Sequence, residues 1–124
     1  MVLIKNVREL DVFKLAYNSA LEVYKITKTF PVEERYDLIS QIRRSAKSVP
    51  GNILEAWRRR RYPKNFVSKL NEAETEADET MLWLDMSKDL GYLDEGAYVA
   101  IRDKYEHILA MLINMIRNPE KWKV

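Results

Sequence analysis

Residues 36–61 read YDLISQIRRSAKSVPGNILEAWRRRR, from Tyr36 to Arg61, and the fold turns on whether one helix runs through them. Apolar side chains recur at Tyr36, Ile39, Ile42, Ala46, Val49, Ile53 and Ala56. Gaps of three and four put such positions on one face of an α-helix. Pro50 breaks the local rule, because proline lacks an N–H and its ring meets the carbonyl of Ala46. The helix either ends there or kinks and continues. The apolar stripe passes Pro50 in phase, from Val49 to Ile53, so the reading is a continuous helix kinked at Pro50. Gly51 beside it adds local weakness.

The same period recurs on both sides. Leu10, Phe13, Tyr17, Leu21 and Tyr24 form an earlier stripe, with Asn6 and Glu9 as a capping pair at its start. Pro31 with Glu33 and Glu34 suits the first turn of the second helix. Phe66, Leu70, Ala73, Ala77, Met81 and Leu84 follow Pro63 and stop at Gly91, a natural left-handed cap. Tyr98, Ile101, Tyr105, Ile108, Leu112 and Ile116 are entered through Asp94 and ended by Asn118 and Pro119. The expected helices span about 7–28, 31–60, 63–90 and 94–117. Short links make successive helices antiparallel neighbours. The fold class is therefore all-α, an up-down-up-down antiparallel four-helix bundle filling a single domain, 1–124.

The composition agrees. A chain of 124 residues with 47% hydrophobic and 32% charged side chains is long enough for one real core, and too polar for a membrane protein. With 3 Gly and 4 Pro it lacks the turns of a sandwich or an α/β fold. No run reaches the roughly 20 apolar residues of a membrane span, and the N-terminal apolar stretch is too short for a signal peptide. There is no Cys, so disulfides, thiolate nucleophiles and Cys-based metal sites are excluded. A cytoplasmic location is expected.

Catalytic motifs are missing from the sequence. The sole histidine, His107, lies off the apolar stripe of its helix and reads as a flank or surface residue. Carboxylate-bridged di-metal bundles need Glu-x-x-His pairs on two helices, and a Ser-His-Asp set would have to use His107 with no marked nucleophile. No glycine-rich phosphate loop appears. No catalytic residue, metal or cofactor is expected.

The charge pattern is more informative than its net value of +2. From Gln41 to Lys69 the basic residues Arg43, Arg44, Lys47, Arg58, Arg59, Arg60, Arg61, Lys64 and Lys69 face a single acid, Glu55. From Leu70 to Asp89 the acids Glu72, Glu74, Glu76, Asp78, Glu79, Asp85 and Asp89 face a single base, Lys88. Glu72, Glu76 and Glu79 share a helix face. Such crowding calls for positive charge nearby, and the second helix supplies it within one subunit or between two. Gln41, Arg44, Ser48, Asn52, Glu55 and Arg59 form a polar stripe beside the apolar one, which reads either as a helix interface or as plain surface.

Four consecutive arginines, Arg58 to Arg61, exceed what a helix C-terminus requires. They suit an anionic partner, since arginine grips phosphate bidentately. Trp57 and Tyr62 either stack on unpaired bases or pack on the bundle end. Three uses remain open for this segment: nucleic-acid binding, ion pairing within an oligomer, and simple surface.

Several motifs combine into a recognisable pattern. They are Asp11-Val12-Phe13, Phe30-Pro31, Gln41-Ile42-Arg43-Arg44-Ser45-Ala46, and Ser48-Val49-Pro50-Gly51-Asn52-Ile53-Leu54-Glu55. Later come Phe66 with Leu70, Asn71 and Ala73, then Glu79, Leu90-Gly91-Tyr92-Leu93 and Met111-Leu112. The chain resembles, over about residues 9–117, the four-helix-bundle proteins encoded in intervening sequences of bacterial 23S ribosomal RNA genes. More distantly it resembles the accessory variability proteins of diversity-generating retroelements. Ala56 stands where the family usually has Gly, and Thr75 with Glu76 where it often has Gly-Ser; these departures bear on local packing and on the turn between helices two and three. The resemblance implies a ring-like homo-oligomer, often a pentamer, with an RNA-related setting, and it singles out Arg43, Arg44, Asn52, Glu55 and Glu79.

The combined expectation is a non-enzymatic, oligomeric protein that binds RNA or DNA. Arg43, Arg44, Lys47, Arg58, Arg59, Arg60, Arg61 and Lys64 would meet phosphates, with Trp57 and Tyr62 as stacking groups. The alternative is a scaffold whose basic and acidic segments pair across subunits, with Gln41, Asn52, Glu55, Glu72, Glu76 and Glu79 as interface or structural polar residues. No membrane partner is expected.

Overall fold

The stretch around Pro50 folds as one helix. In the computed structural model, which describes residues 4–123, α2 runs Leu38–Arg58 with Pro50 inside it. Continuity through the proline is thus established; a bend there is a separate expectation from the lost hydrogen bond. The other helices are α1 (Asp11–Thr27), α3 (Pro63–Asp89) and α4 (Glu95–Arg117), with 3₁₀ turns at Val7–Glu9, Val32–Glu34 and Pro119–Trp122. No strand occurs among the described residues.

Each helix touches its sequence neighbour, and α4 returns to α1, while neither diagonal pair makes contact. The α2–α3 seam is the most extensive. The result is the expected four-helix bundle. Its core is lined by Ile42, Ala46, Val49 and Ile53 from α2, Phe66, Leu70 and Leu84 from α3, and Ile101, Tyr105, Ile108 and Leu112 from α4, all essentially inaccessible. Among the described residues no helix is long and apolar enough to cross a membrane.

The ends of α3 and α4 follow local chemistry. Gly91 takes φ +82°, and the Tyr92 and Gly91 amides donate back to the Ser87 and Lys88 carbonyls at 2.9 Å, closing α3 with a left-handed cap. Asp94 caps α4 by accepting from the Ala97 amide at 2.8 Å.

The starts of α1 and α2 differ from expectation. Asn6 and Glu9 do act as caps, but on the short Val7–Glu9 turn: Asn6 accepts from the Arg8 amide and Glu9 from the Lys5 amide. Leu10 is extended, so α1 begins only at Asp11. Pro31 opens a 3₁₀ turn rather than α2 itself, and Asp37 at φ −125°, ψ −102° breaks the path before Leu38. Contacts made elsewhere hold that segment: buried Phe30 packs on Tyr92 at 5.5 Å, and the Tyr92 hydroxyl donates to Glu34 at 2.8 Å. Tyr36, outside the helix, is 87% exposed and not a core residue.

The apolar face of α1 is also rotated from the expected one. Val12, Phe13, Ala16, Ser19, Ala20, Val23 and Thr27 are buried, whereas Tyr17, Leu21 and Tyr24 are 51%, 54% and 37% exposed. The buried face combines Val12, Phe13 and Val23 with the small residues Ala16, Ser19 and Ala20.

Candidate nucleic-acid interface

The basic residues of α2 fall on two sides of the helix. Toward α3 the charges find partners within the chain. Lys69 of α3 lies 2.8 Å from Glu72 and 3.6 Å from Glu55 of α2. The hydrogen bond to Glu72, reinforced by both carboxylates, raises the Lys69 ammonium above the ordinary lysine range. Arg44 reaches Gln41 at 3.5 Å, and its charge also acts on Glu76. Asn52 donates to the Ser48 carbonyl at 3.0 Å, and lines a groove of about 480 Å³ with Lys69, Asn71, Glu72, Thr75 and Glu76. The sequence-predicted polar residues Asn52, Glu72 and Glu76 therefore meet in one place, and the positive charge among them is Lys69.

Glu76 is the strained member of this seam. One of its carboxylate oxygens is buried without a partner. Burial first, and the neighbouring Glu79 charge second, push its carboxyl above the usual range, against the pull of Arg44. One turn further, Thr80 Oγ1 lies 2.9 Å from both Ser45 Oγ and the Glu76 carbonyl, inside the seam. Sequence reasoning missed this buried polar link; its signal was two hydroxyls flanked by core positions on facing helices.

Arg43 points the other way, toward α1. It donates to Thr27 Oγ1 at 2.8 Å and the Tyr24 carbonyl at 3.3 Å, with its guanidinium 4.6 Å from the centre of the Tyr24 ring. It ties α2 to the end of α1.

The arginine run ends α2 with mixed roles. Trp57 is only 7% exposed and meets Trp122 edge-on at 6.3 Å. Of its two expected roles it takes packing on the bundle end, and its ring is not free to stack on a base. Arg60 lies 4.1 Å from the Trp57 ring centre and donates to the Trp57 carbonyl at 2.8 Å. Arg58, Arg59, Arg61 and Tyr62 are exposed. Lys64 stands apart, in a shallow depression with Val67, Asn71 and Pro119.

Folding adds two residues that the sequence did not single out. Lys5 and Arg8 come against the end of α2, and with Arg58 and Arg60 they line a hollow of about 320 Å³. Val7, Leu54 and Trp57 contribute apolar lining, and no acidic side chain does. The charged residues that line the hollow are all positive. Nothing local in the sequence announces it, because it depends on where the N-terminal turn folds back. Elsewhere His107 is exposed beside Asp103, and among the described residues no three His, Cys, Asp or Glu converge as metal ligands.

A four-helix bundle with paired charge on one flank and bare arginines at one end defines a class of helical protein built around its surface. Residues 8–114 match the family described as 23S rRNA-intervening sequence protein, and the chain belongs to that family. It is also similar to the crystal structure of a protein of unknown function from the S23 ribosomal protein family of Bacteroides thetaiotaomicron. The identity is 29% and the TM-score 0.78, with 86% of this chain and 98% of that one covered. No curated protein matches.

Proposed function

We propose that this protein binds RNA or another nucleic acid without transforming it, holding phosphates at the basic end of α2. The observation that carries this reading is the hollow lined by Lys5, Arg8, Arg58 and Arg60 and shared by no acid. Arg59 and Arg61 stand exposed beside it and extend the positive surface. The fork geometry of guanidinium fits phosphate oxygens. The family's description, which sets its members in 23S rRNA intervening sequences, supports an RNA partner.

The test is a salt titration of labelled RNA by fluorescence anisotropy. Four neutralised phosphates give a log–log slope of about −3 for a single strand and about −3.6 for a duplex. An affinity that ignores salt, or no binding at roughly 50 mM salt, overturns the proposal.

A second reading, a self-assembling scaffold, has its own support. Leu82, Met86 and Val99 are exposed on α3 and α4, with the exposed acids Asp78, Asp89 and Asp103 on the same two helices. Leu82 and Met86, one turn apart on α3, are exposed apolar side chains of the kind that suit a subunit contact. Sedimentation velocity decides it: Leu82→Glu with Met86→Glu lowers the particle mass if the patch joins subunits, and leaves it unchanged otherwise.

A further inference from the structure

The face that α1 leaves uncovered has an ordered composition. Lys14, Tyr17, Leu21, Tyr24 and Lys28 follow at gaps of three and four, one stripe with a lysine at each end. All five are exposed. Each tyrosine ring has one neighbour packed against it. Tyr17 stacks on buried Phe13 at 6.1 Å and 22°, and Tyr24 lies under the Arg43 guanidinium. Beside them on α2, Arg43, Lys47, Gly51, Leu54 and Arg58 form a parallel stripe at helical spacing, leading to the basic hollow. Gly51 is exposed, with nothing within 4 Å of where a side chain would begin, so the shelf between the two helices is open there. Lys14, Lys28 and Lys47 enter no ion pair among the described residues. Of the two acids of α1, Glu22 is drawn to the opposite flank by Lys104 of α4, and Asp11 lies at the start of the helix, one turn before Lys14.

We infer that the α1–α2 face is a track for single-stranded nucleic acid, with Tyr17 and Tyr24 as base-stacking platforms and Lys14, Lys28 and Lys47 as phosphate contacts. This rests on the proposed function and extends it from a class of charge to a class of strand. The charged residues of the two stripes, Lys14, Lys28, Arg43, Lys47 and Arg58, are all positive, which fits a polyanion. The exposed groups are flat rings already held in place, and any base offers a face to such a ring. A duplex hides those faces within its own stack, so a tyrosine platform discriminates in favour of unpaired strands. Tyr17 and Tyr24 are separated by about 10 Å along the helix, close to three stacked nucleotides at about 3.4 Å each. From Arg43 to Arg58 the α2 stripe covers about 22 Å, enough to hold several consecutive phosphates.

The experiment uses the full chain with a labelled 20-nucleotide uridine oligomer and, separately, a labelled RNA duplex of the same length. Wild-type protein favours the single strand. Tyr17→Ala and Tyr24→Ala each weaken oligomer binding roughly tenfold and leave duplex binding unchanged. Tyr17→Phe and Tyr24→Phe, which keep the ring, retain wild-type affinity. Circular dichroism confirms that each variant is folded. If the alanine variants bind the oligomer as well as wild type while Arg58→Gln with Arg61→Gln loses binding, the track is wrong and the basic hollow stands. If wild type binds neither probe, both readings fall. If the alanine variants instead lower the particle mass in sedimentation, a second copy of the chain occupies this face and the inference is overturned.

Discussion

The two flanks of α2 carry similar residues and use them in opposite ways. Toward α3, the carboxylates and cations meet each other: Lys69 bridges Glu55 and Glu72, Arg44 faces Glu76, and Ser45 meets Thr80 inside the seam. Toward α1 and at its end, Lys47 and Arg58 have no acidic partner among the described residues. The net charge of +2 hides this division. A nearly neutral protein presents a basic flank because most of its acids lie beyond Pro63, in α3, α4 and the segments beside them. Paired surface charges contribute little to stability or binding, so the unpaired flank is where an anionic partner gains most.

Trp57 stands where the flanks meet, and substituting it gives the largest effect. Trp57→Ala destabilises the fold by about 3–5 kcal/mol in urea unfolding, since the ring is buried against Trp122. An unchanged urea midpoint together with weaker RNA binding would move Trp57 to the free side and blur the division.

Next comes the contrast between free and engaged cations. Changing Arg58, Arg59 and Arg61 to Gln together weakens RNA binding about 100-fold, or roughly 2.7 kcal/mol, and makes the salt slope shallower by about 2–3. Lys69→Gln on the other flank leaves both quantities near wild type, because Lys69 is held by Glu72 and Glu55. Equal losses from the two changes would break the comparison.

The sequence showed much of this bundle, for identifiable reasons. Pro63, Gly91, Asp94 and Asn118 are local signals, and α3 and α4 end within a residue or so of where those signals put them. The face of α1 was misread because Tyr17, Leu21 and Tyr24 outweigh Ala16, Ser19 and Ala20 in any hydrophobic count, although close packing prefers the smaller set. The delayed start of α2 was hidden because Phe30 and Glu34 answer to Tyr92, more than fifty positions away. The run Arg58 to Arg61 was visible, but its internal division was not: Arg60 lies on Trp57, and Lys5 and Arg8 join from a distant segment. Local chemistry is written in the sequence, while convergence of remote segments appears only on folding.

The α3 flank can be tested by its buried hydroxyls. Thr80→Val costs about 1–2 kcal/mol in urea unfolding, by removing the hydroxyl that links Ser45 Oγ of α2 to the Glu76 carbonyl of α3, while Ser45 keeps its bond to the Ile42 carbonyl. Ser45→Ala in that background costs less than Ser45→Ala alone, because the bond between the two hydroxyls is already gone. Additive losses would show that the two hydroxyls act separately.

The smallest effect concerns Glu76, and its sign with pH is definite. Burial and the Glu79 charge raise its folded pKa above the ordinary carboxylate value. The folded state therefore binds this proton before the unfolded state does, and the ionised carboxylate weakens the fold at neutral pH. Glu76→Gln removes that ionisation, so the variant melts slightly higher than wild type at pH 7. The wild type regains stability as pH falls from the raised folded pKa to the ordinary value, and the gap between the two closes over that window. A gap that widens with acidification would mean that the Glu76 carboxylate is stabilised in the seam, and the α3 flank would then be a fully matched set of charges rather than one with a single misfit.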